Sequence, residues 1–489
     1  MEYIFASPLI SILFFSVFIP VIDGLTKNKT TVFVLTLSGL LITGILAIYT
    51  LMLPADEILK LDSSTTISKN MLLFGGFSAY FDILFCLAGV LVILASRNYL
   101  NREYGEYKEY YSLILASISG MILIAHSNNL LILFIGIETM SIPFYILAGF
   151  FRTNQKSVEA SIKYFLLGAF STGFLIYGIA MIYGATGSID ISIISSKIQT
   201  GQAIDLYLKI GLALLIIGLC FKVAIFPFHQ WAPDVYDGSP TVVSAFLSTA
   251  GKAAALVGFI IIAKGFLPHH SFNEISSMLN TNFKLILAIL SAITMIIGNI
   301  TALVQKNVKR MLAYSSVAHA GYLLMGIASN NQDGWSGIMF YSTAYVFMQI
   351  GAFIVVSVLE RQTDNFITFE EYSGLRNSHP FLAAVMAMFM LSLAGIPPFA
   401  GFFGKYYLFV AAVKADLLWL TVIAVIASII SMYFYIGLIL QMYFKEPLSK
   451  EPESDTGLAK ITLAISAIGI LLFGIFPQII VNLTEKFFN

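Results

Sequence analysis

Charge is what this sequence has least of. Asp, Glu, Lys and Arg make up 11% of its 489 residues, while 58% are hydrophobic. Soluble domains average roughly 25% charged residues, so a water-facing surface cannot be built here. The 27 basic and 27 acidic residues cancel, which leaves no electrostatic footprint for nucleic acid. Cysteine is nearly absent. Cys86 and Cys220 lie in separate apolar runs, which excludes a disulfide framework and any CxxC motif; both read as small core residues. Among the 6 histidines only His269 and His270 are adjacent, and no set has zinc, haem or iron–sulfur spacing. The expectation is no metal, no cofactor and no redox centre in this chain.

What is present is long apolar runs. Residues 417–444 and 460–483 carry almost no charge, and about 20 apolar residues suffice to cross a bilayer as a helix. Polar breaks divide the chain into about 14 predicted spans, at 4–22, 31–53, 79–99, 110–127, 129–151, 157–183, 206–229, 239–266, 284–304, 313–330, 335–360, 380–413, 415–444 and 458–484. The polar, turn-rich segments 54–78 and 184–205 read as connections. Met1 to Asp23 lacks a basic n-region and a small-residue cleavage site, so a retained first span is expected rather than a signal peptide. The fold class expected is all-α and polytopic.

Lys and Arg orient the spans. The side holding the loop after the first span receives about twice as many of them as the other. That basic side is therefore expected to be cytoplasmic, with both termini outside. Three lysines remain that no loop claims: Lys222 in IIGLCFKVAIFPF, Lys252 in AFLSTAGKAAALVGF and Lys405 in SLAGIPPFAGFFGKYYLF. The clearest acidic counterpart is Glu138 in LLILFIGIETMSIPFYIL, nine residues past Asn129, or about 13 Å along a helix. Asp82 is shallower, near the start of its span.

A lysine at the centre of a membrane helix costs roughly 2.5–3.5 kcal/mol on insertion scales. Such groups are expected to face a hydrated interior and to pair with one another. The plain alternative is a structural ion pair, or snorkelling to the interface, which is strained for Lys252 at mid-span. The chemistry that suits buried lysines and a carboxylate is proton transfer. A closed Glu–Lys pair holds the proton and a separated one releases it. His319, in LAYSSVAHAGYLLMG, and His229, in PFHQWAPDVYDG at the membrane edge, are further relay candidates. Asp234 and Asp237 are expected to cap the following helix or to sit in solvent.

Prolines mark two broken spans. Pro227 and Pro233 follow Lys222, and Pro397 and Pro398 precede Lys405. Proline inside a span frees a backbone carbonyl that needs protein or water as partner, and transporters use such breaks at ion sites. Pro143, in the span of Glu138, adds a possible kink. The broken spans are the seventh and twelfth, five apart. Spans 4–8 (110–283) and 9–13 (284–457) then read as two five-helix repeats, the second inverted by its odd count. Residues 1–109 precede them and 458–489 follow. The local sequences of the two copies match poorly, so this rests on placement.

The stretches LLILFIGIETMSIPFYILAGF, SVEASIKYFLLGAFSTGFLIYGIAMIYGATG, FKVAIFPFHQWAPDVYDGSPTVVSAFLSTAGKAAA, NVKRMLAYSSVAHAGYLLMG and MLSLAGIPPFAGFFGKYYLF together resemble the antiporter-like membrane subunits of respiratory complex I. The resemblance covers spans 5 to 12 and is closest to the subunit N group. It implies 14 spans with two inverted five-helix repeats. It also implies proton translocation coupled to quinone reduction elsewhere in the complex, as one subunit of an H⁺-translocating NADH:quinone oxidoreductase. Glu138 matches the family's span 5 glutamate, and Lys222, Lys252 and Lys405 its lysines on spans 7, 8 and 12. Lysine rather than glutamate on span 12 agrees with the subunit N group. The end at Asn489, with no long lateral helix, disfavours the largest family member. Implied partners are the other membrane subunits of complex I, in a hetero-oligomer within the bacterial inner membrane, and no nucleic acid. The alternative is a subunit of a multi-subunit cation/proton antiporter; a third reading is an inert scaffold.

Overall fold

A computed structural model describes residues 2–25, 29–53, 71–103, 109–201, 205–267, 274–360, 367–447 and 456–487. Most of the predicted connection 54–78, and the adjacent His269 and His270, lie outside the described residues. Within them the chain is helical, with isolated β-bridges only. In chain order the main helices are α1 (Ser7–Leu25), α2 (Lys29–Met52), α3 (Gly76–Glu103), α4 (Glu109–Ala125), α5 (Leu130–Ala148), α6 (Gln155–Thr186), α7 (Leu206–Val223) and α8 (Trp231–Gly238). Then come α9 (Thr241–Phe266), α10 (Glu274–Leu303), α11 (Val308–Ser329), α12 (Gln332–Leu359), α13 (Pro380–Ala394), α14 (Ala400–Lys414), α15 (Leu418–Phe444) and α16 (Ala459–Ile475).

Eleven of the described helices are long and apolar enough to cross a membrane, or twelve if the pair Ala459–Ile475 and Gln478–Glu485, bent by 73°, is one span. The number falls below the expected 14 for a local reason. The apolar run predicted as one span at 380–413 is two helices, α13 and α14, and α4 is only 17 residues long. The run at 206–229 likewise ends as a helix at Val223.

The bundle is layered. Past its first two residues α12 is wholly buried, and α9 and α11 are nearly so, while α1, α6 and α15 turn most of their apolar surface outward. Close packing between helices needs small residues where backbones approach. Gly120 of α4 is one: a Cβ there would lie 2.3 Å from the Met140 backbone N of α5.

The two halves of the chain run through parallel local structures. Asn129 caps α5, its side chain accepting from Leu131 N at 2.9 Å, and pairs as an isolated bridge with Asp190. Asn307 caps α11, accepting from Lys309 N at 2.8 Å and Arg310 N at 3.1 Å, and bridges to Thr368. α7 stops at Ala224, which has φ 64°, and α13 stops at Gly395, with φ 84°. Each break contains a cis X–Pro bond and is followed by another helix.

Candidate functional site

The first cluster lies between α5, α6 and α7. Lys222 sits in the last turn of α7, where unpaired carbonyls and the helix dipole favour a cation. Its Nζ donates to Ser141 Oγ at 2.8 Å and to Tyr145 OH at 3.1 Å, and lies 3.7 Å from Glu138 Oε1. Glu138 in turn accepts from Thr172 Oγ1 at 2.8 Å. Positions 138, 141 and 145 share one face of α5 at i, i+3 and i+7. The hydroxyls hold the ammonium while the carboxylate stands just beyond hydrogen-bond range, so a small shift of either side chain opens or closes the pair. Lys222 is 1% exposed at its side chain and Glu138 22%.

The second cluster surrounds α11. Lys252 follows directly on a π-turn at Leu247–Gly251, a local widening often met at functional sites. Its Nζ donates to both the backbone O and the Oγ of Ser316, each at 2.5 Å. Three residues on, His319 hydrogen-bonds Tyr341 OH through Nδ1 and Tyr435 OH, at 3.0 Å, through Nε2. Tyr435 OH also meets Ser315 Oγ at 2.5 Å. The His319 ring also lies 5.8 Å from the Tyr322 ring.

Lys405 lies in α14 and caps the end of α13. Its Nζ donates to the carbonyls of Leu393 and Ala394, each at 3.0 Å, and to Ser428 Oγ at 2.9 Å. It also stands 5.0 Å above the Tyr322 ring, and Ser428 Oγ in turn donates to Ala394 O at 3.3 Å. The break at Gly395–Phe399 thus frees the carbonyls that hold the third lysine.

Hydroxyls and one imidazole therefore lie along the way from Lys252 to Lys405. Between the two clusters the Phe144 ring packs on Phe246 at 5.5 Å and against Gly251. Of the residues predicted from sequence, the structure joins Glu138 with Lys222, and it places His319 one turn past Ser316, which holds Lys252, and beside Tyr322, over which Lys405 stands. His229 stands apart, buried in the α7–α8 connection against the Phe226 ring at 5.6 Å.

Other placements differ from the sequence reading. Lys309, assigned there to a loop, is 3% exposed. α11 begins at Val308, several residues before the predicted 313, and carries Lys309 inside the bundle. Its Nζ donates to Ser239 O at 2.9 Å and to Glu360 Oε1 at 3.2 Å. Asp234 neither caps a helix nor sits free in solvent: it pairs with Lys163 at 2.8 Å and Arg310 at 3.0 Å. Burial raises its carboxyl, but the hydrogen bonds and charges of Lys163 and Arg310 prevail and hold it below the ordinary carboxylate value. Asp237 accepts from Asn307 Nδ2 at 3.1 Å. Asp82 is fully buried and bonds His126 Nε2 at 2.8 Å. Sequence reasoning did not single out His126; the contact arises because residues 71–73 pair with 126–128 through the backbone. Cys86 and Cys220 are buried thiols. Among the described residues no three His, Cys, Asp or Glu side chains gather as a metal site.

Comparison with known proteins gives a consistent result. Residues 127–431 match the family described as NADH:quinone oxidoreductase/Mrp antiporter, TM. Over 418 residues the chain is 46% identical to NADH-quinone oxidoreductase subunit N 1 of Chloroherpeton thalassium, covering 85% of this chain and 86% of that relative. A chain in the structure of respiratory complex I from Thermus thermophilus with bound aureothin superposes with TM-score 0.80 at 31% identity, over 98% of this chain and 99% of that one. A chain of the Mrp complex from Dietzia sp. superposes with TM-score 0.86 at 19% identity, over 99% and 97% of the two chains, a likeness of fold alone. The chain belongs to the NADH:quinone oxidoreductase/Mrp antiporter transmembrane family, on the branch of the NADH-quinone oxidoreductase N subunits.

Proposed function

We propose that this chain is a proton-translocating membrane subunit of an NADH-quinone oxidoreductase, moving H⁺ through Glu138, Lys222, Lys252, His319 and Lys405 without a redox centre of its own. The observation that carries the proposal is the burial of Lys222, Lys252 and Lys405 in one bundle, each held by hydroxyls or carbonyls, with Lys222 the one of these three that has a carboxylate beside it among the described residues. When Glu138 and Lys222 are closed, Lys222 keeps its proton. When they part, Lys222 loses its counter-charge and gives the proton up towards Lys252, past the Phe144 constriction. Lys252 and Lys405 then exchange through the His319 and tyrosine hydroxyls, and Lys405 carries the exit step.

The same reading takes the chain as 14 spans, with α7–α8 and α13–α14 each one broken span, and 110–283 and 284–457 as inverted repeats. The register of the two capping asparagines supports it. Nine and twelve residues past Asn129 stand Glu138 and Ser141; nine and twelve past Asn307 stand Ser316 and His319. Lys222 and Lys405 each flank a break. The basic side is cytoplasmic, both termini are outside, and the membrane is the bacterial inner membrane. A partly exposed Glu138 on an outward face would be expensive against lipid, which favours cover by another membrane subunit of the complex. Identity to the N subunits favours this reading over a cation/proton antiporter, whose match is in fold only.

Replacing Glu138 or Lys222 with alanine is expected to lower NADH-driven proton translocation roughly 100-fold, the low end for loss of a positioned proton-transfer group. The measurement is protons moved per NADH oxidised in membrane vesicles, with the amount of assembled complex checked on a native gel. A parental ratio in normally assembled complex would sink the assignment. Copurification of iron–sulfur subunits separates it from the antiporter reading.

A further inference from the structure

The buried pair Lys309–Glu360 has no part in the path above. Resting on that reading, we propose that this pair is the entrance where protons from the basic side load, and that a polar seam between α11 and α12 leads them to Lys252.

Placement argues first. Lys309 stands in the first turn of α11, where the helix dipole disfavours a cation. It lies beside a loop, within easy reach of solvent for a lysine. Arg310, next to it, takes that outward course and pairs with Asp234. Lys309 instead turns inward to the Ser239 carbonyl and Glu360. A buried ion pair is no more stabilising than apolar side chains of similar volume, so stability alone does not explain it. The partners differ in access: the side chain of Glu360 is 13% exposed and that of Lys309 4%. Glu360 can meet surface water while Lys309 is sealed behind it.

The seam argues second. Residues 309, 312, 316 and 319 recur at i, i+3, i+7 and i+10, one face of α11. Residues 341, 345 and 349 form the matching face of α12, which ends at Glu360. The two helices meet at the Lys309 end and again from Leu312 to His319, with residues 350–359 of α12 lying between Gln349 and Glu360. Glu360 holds Lys309, and Gln349 Nε2 donates to Leu312 O at 3.2 Å. Ser316 receives Lys252, Tyr345 packs on the His319 ring at 5.1 Å, and Tyr341 bonds His319. From Lys309 to Ser316 is about 10 Å along the helix. Gln349 is fully buried, and among the described residues its Oε1 has no hydrogen-bond partner. A buried amide oxygen of that kind is where a bridging water binds. Glu360 also accepts from Thr241 Oγ1 at the start of α9, the helix that carries Lys252.

The step is a proton transfer throughout. Glu360 takes a proton from water on the basic side and becomes neutral, while Lys309 stays charged on the Ser239 carbonyl. The proton leaves Glu360 along water at Gln349 and arrives on a deprotonated Lys252, and the Lys309–Glu360 pair re-forms.

The test is Glu360→Gln in the assembled complex. The amide keeps the shape and the contacts to Lys309 and Thr241, but it cannot take the proton. Protons moved per NADH oxidised are expected to fall severalfold, with parental amounts of complex. An unchanged ratio, whether or not the amount of complex drops, marks a structural ion pair and overturns the proposal. Gln349→Met leaves the ion pair intact and gives a second reading, expected to lower the ratio as well. If Glu360→Gln prevents assembly, a parental ratio in Gln349→Met overturns the entrance. Lys252→Met is run alongside. If it pumps normally, the relay itself fails. If it is inactive while Glu360→Gln and Gln349→Met pump normally, only the entrance fails.

Discussion

Lys252→Met is expected to stop proton movement through this subunit while leaving the complex assembled. Methionine matches the length of the lysine stem and suits a site that is 2% exposed. The loss of charge leaves nothing stranded, because among the described residues Nζ is held by the carbonyl and hydroxyl of Ser316 and by no carboxylate. Replacing a buried charge by an apolar side chain of similar volume is often neutral or stabilising. Glu138→Ala is different, since it leaves the buried Lys222 ammonium without its counter-charge. Lys252→Met is therefore the cleaner test of function against stability. The rate of proton movement is expected to fall by about 10²- to 10⁴-fold, the range for loss of a positioned proton-transfer group, read as protons moved per NADH oxidised. Parental translocation in Lys252→Met would remove Lys252 from the path.

How much of this was legible in the sequence depends on what each feature asks of it. Lys222, Lys252, Lys405 and Glu138 stood out because a charge inside an apolar run is expensive whatever surrounds it. Lys309 did not, because it is one residue inside a helix start. Depth there depends on which way the side chain turns, and neighbouring Arg310 turns the opposite way. The Asn129 and Asn307 caps fix the register of α5 and α11, and with it the hydroxyls and the imidazole that receive the lysines. Those hydroxyls belong to Ser, Thr and Tyr residues that read as ordinary within apolar spans. The break of 380–413 into two helices was marked by Pro397 and Pro398, although no polar residues divide the run. The π-turn before Lys252 has no marker residue. The Asp82–His126 contact joins residues 44 apart in sequence, through backbone pairing of two loops that local pattern does not disclose.

The same logic gives Lys405, whose depth was hardest to read, a sharp structural test. Gly401 lies one turn before it on α14 and donates its backbone N–H to Ser392 Oγ at 3.2 Å. A Cβ on Gly401 would stand 1.9 Å from the Ser392 carbonyl O. That neighbour is backbone in the last turn of α13 and cannot swing aside. Restoring ordinary contact requires α13 and α14 to part by about 1.5 Å, and overpacking of this kind costs roughly 1–3 kcal/mol or more. The carbonyls of Leu393 and Ala394, which hold Lys405 at 3.0 Å, are the next in line. A parting of that size takes both beyond hydrogen-bond range. Gly401→Ala is therefore expected to lower both the thermal stability of the assembled complex and its protons moved per NADH. Gly437→Ala is the control, because a Cβ at Gly437 in α15 meets nothing within 4 Å; it should melt and pump like the parent. If Gly401→Ala matches Gly437→Ala in both measurements, the close crossing of α13 and α14 does not hold Lys405 in place. Loss of stability with parental pumping would mean instead that the α13 carbonyls support the fold and not the lysine's task.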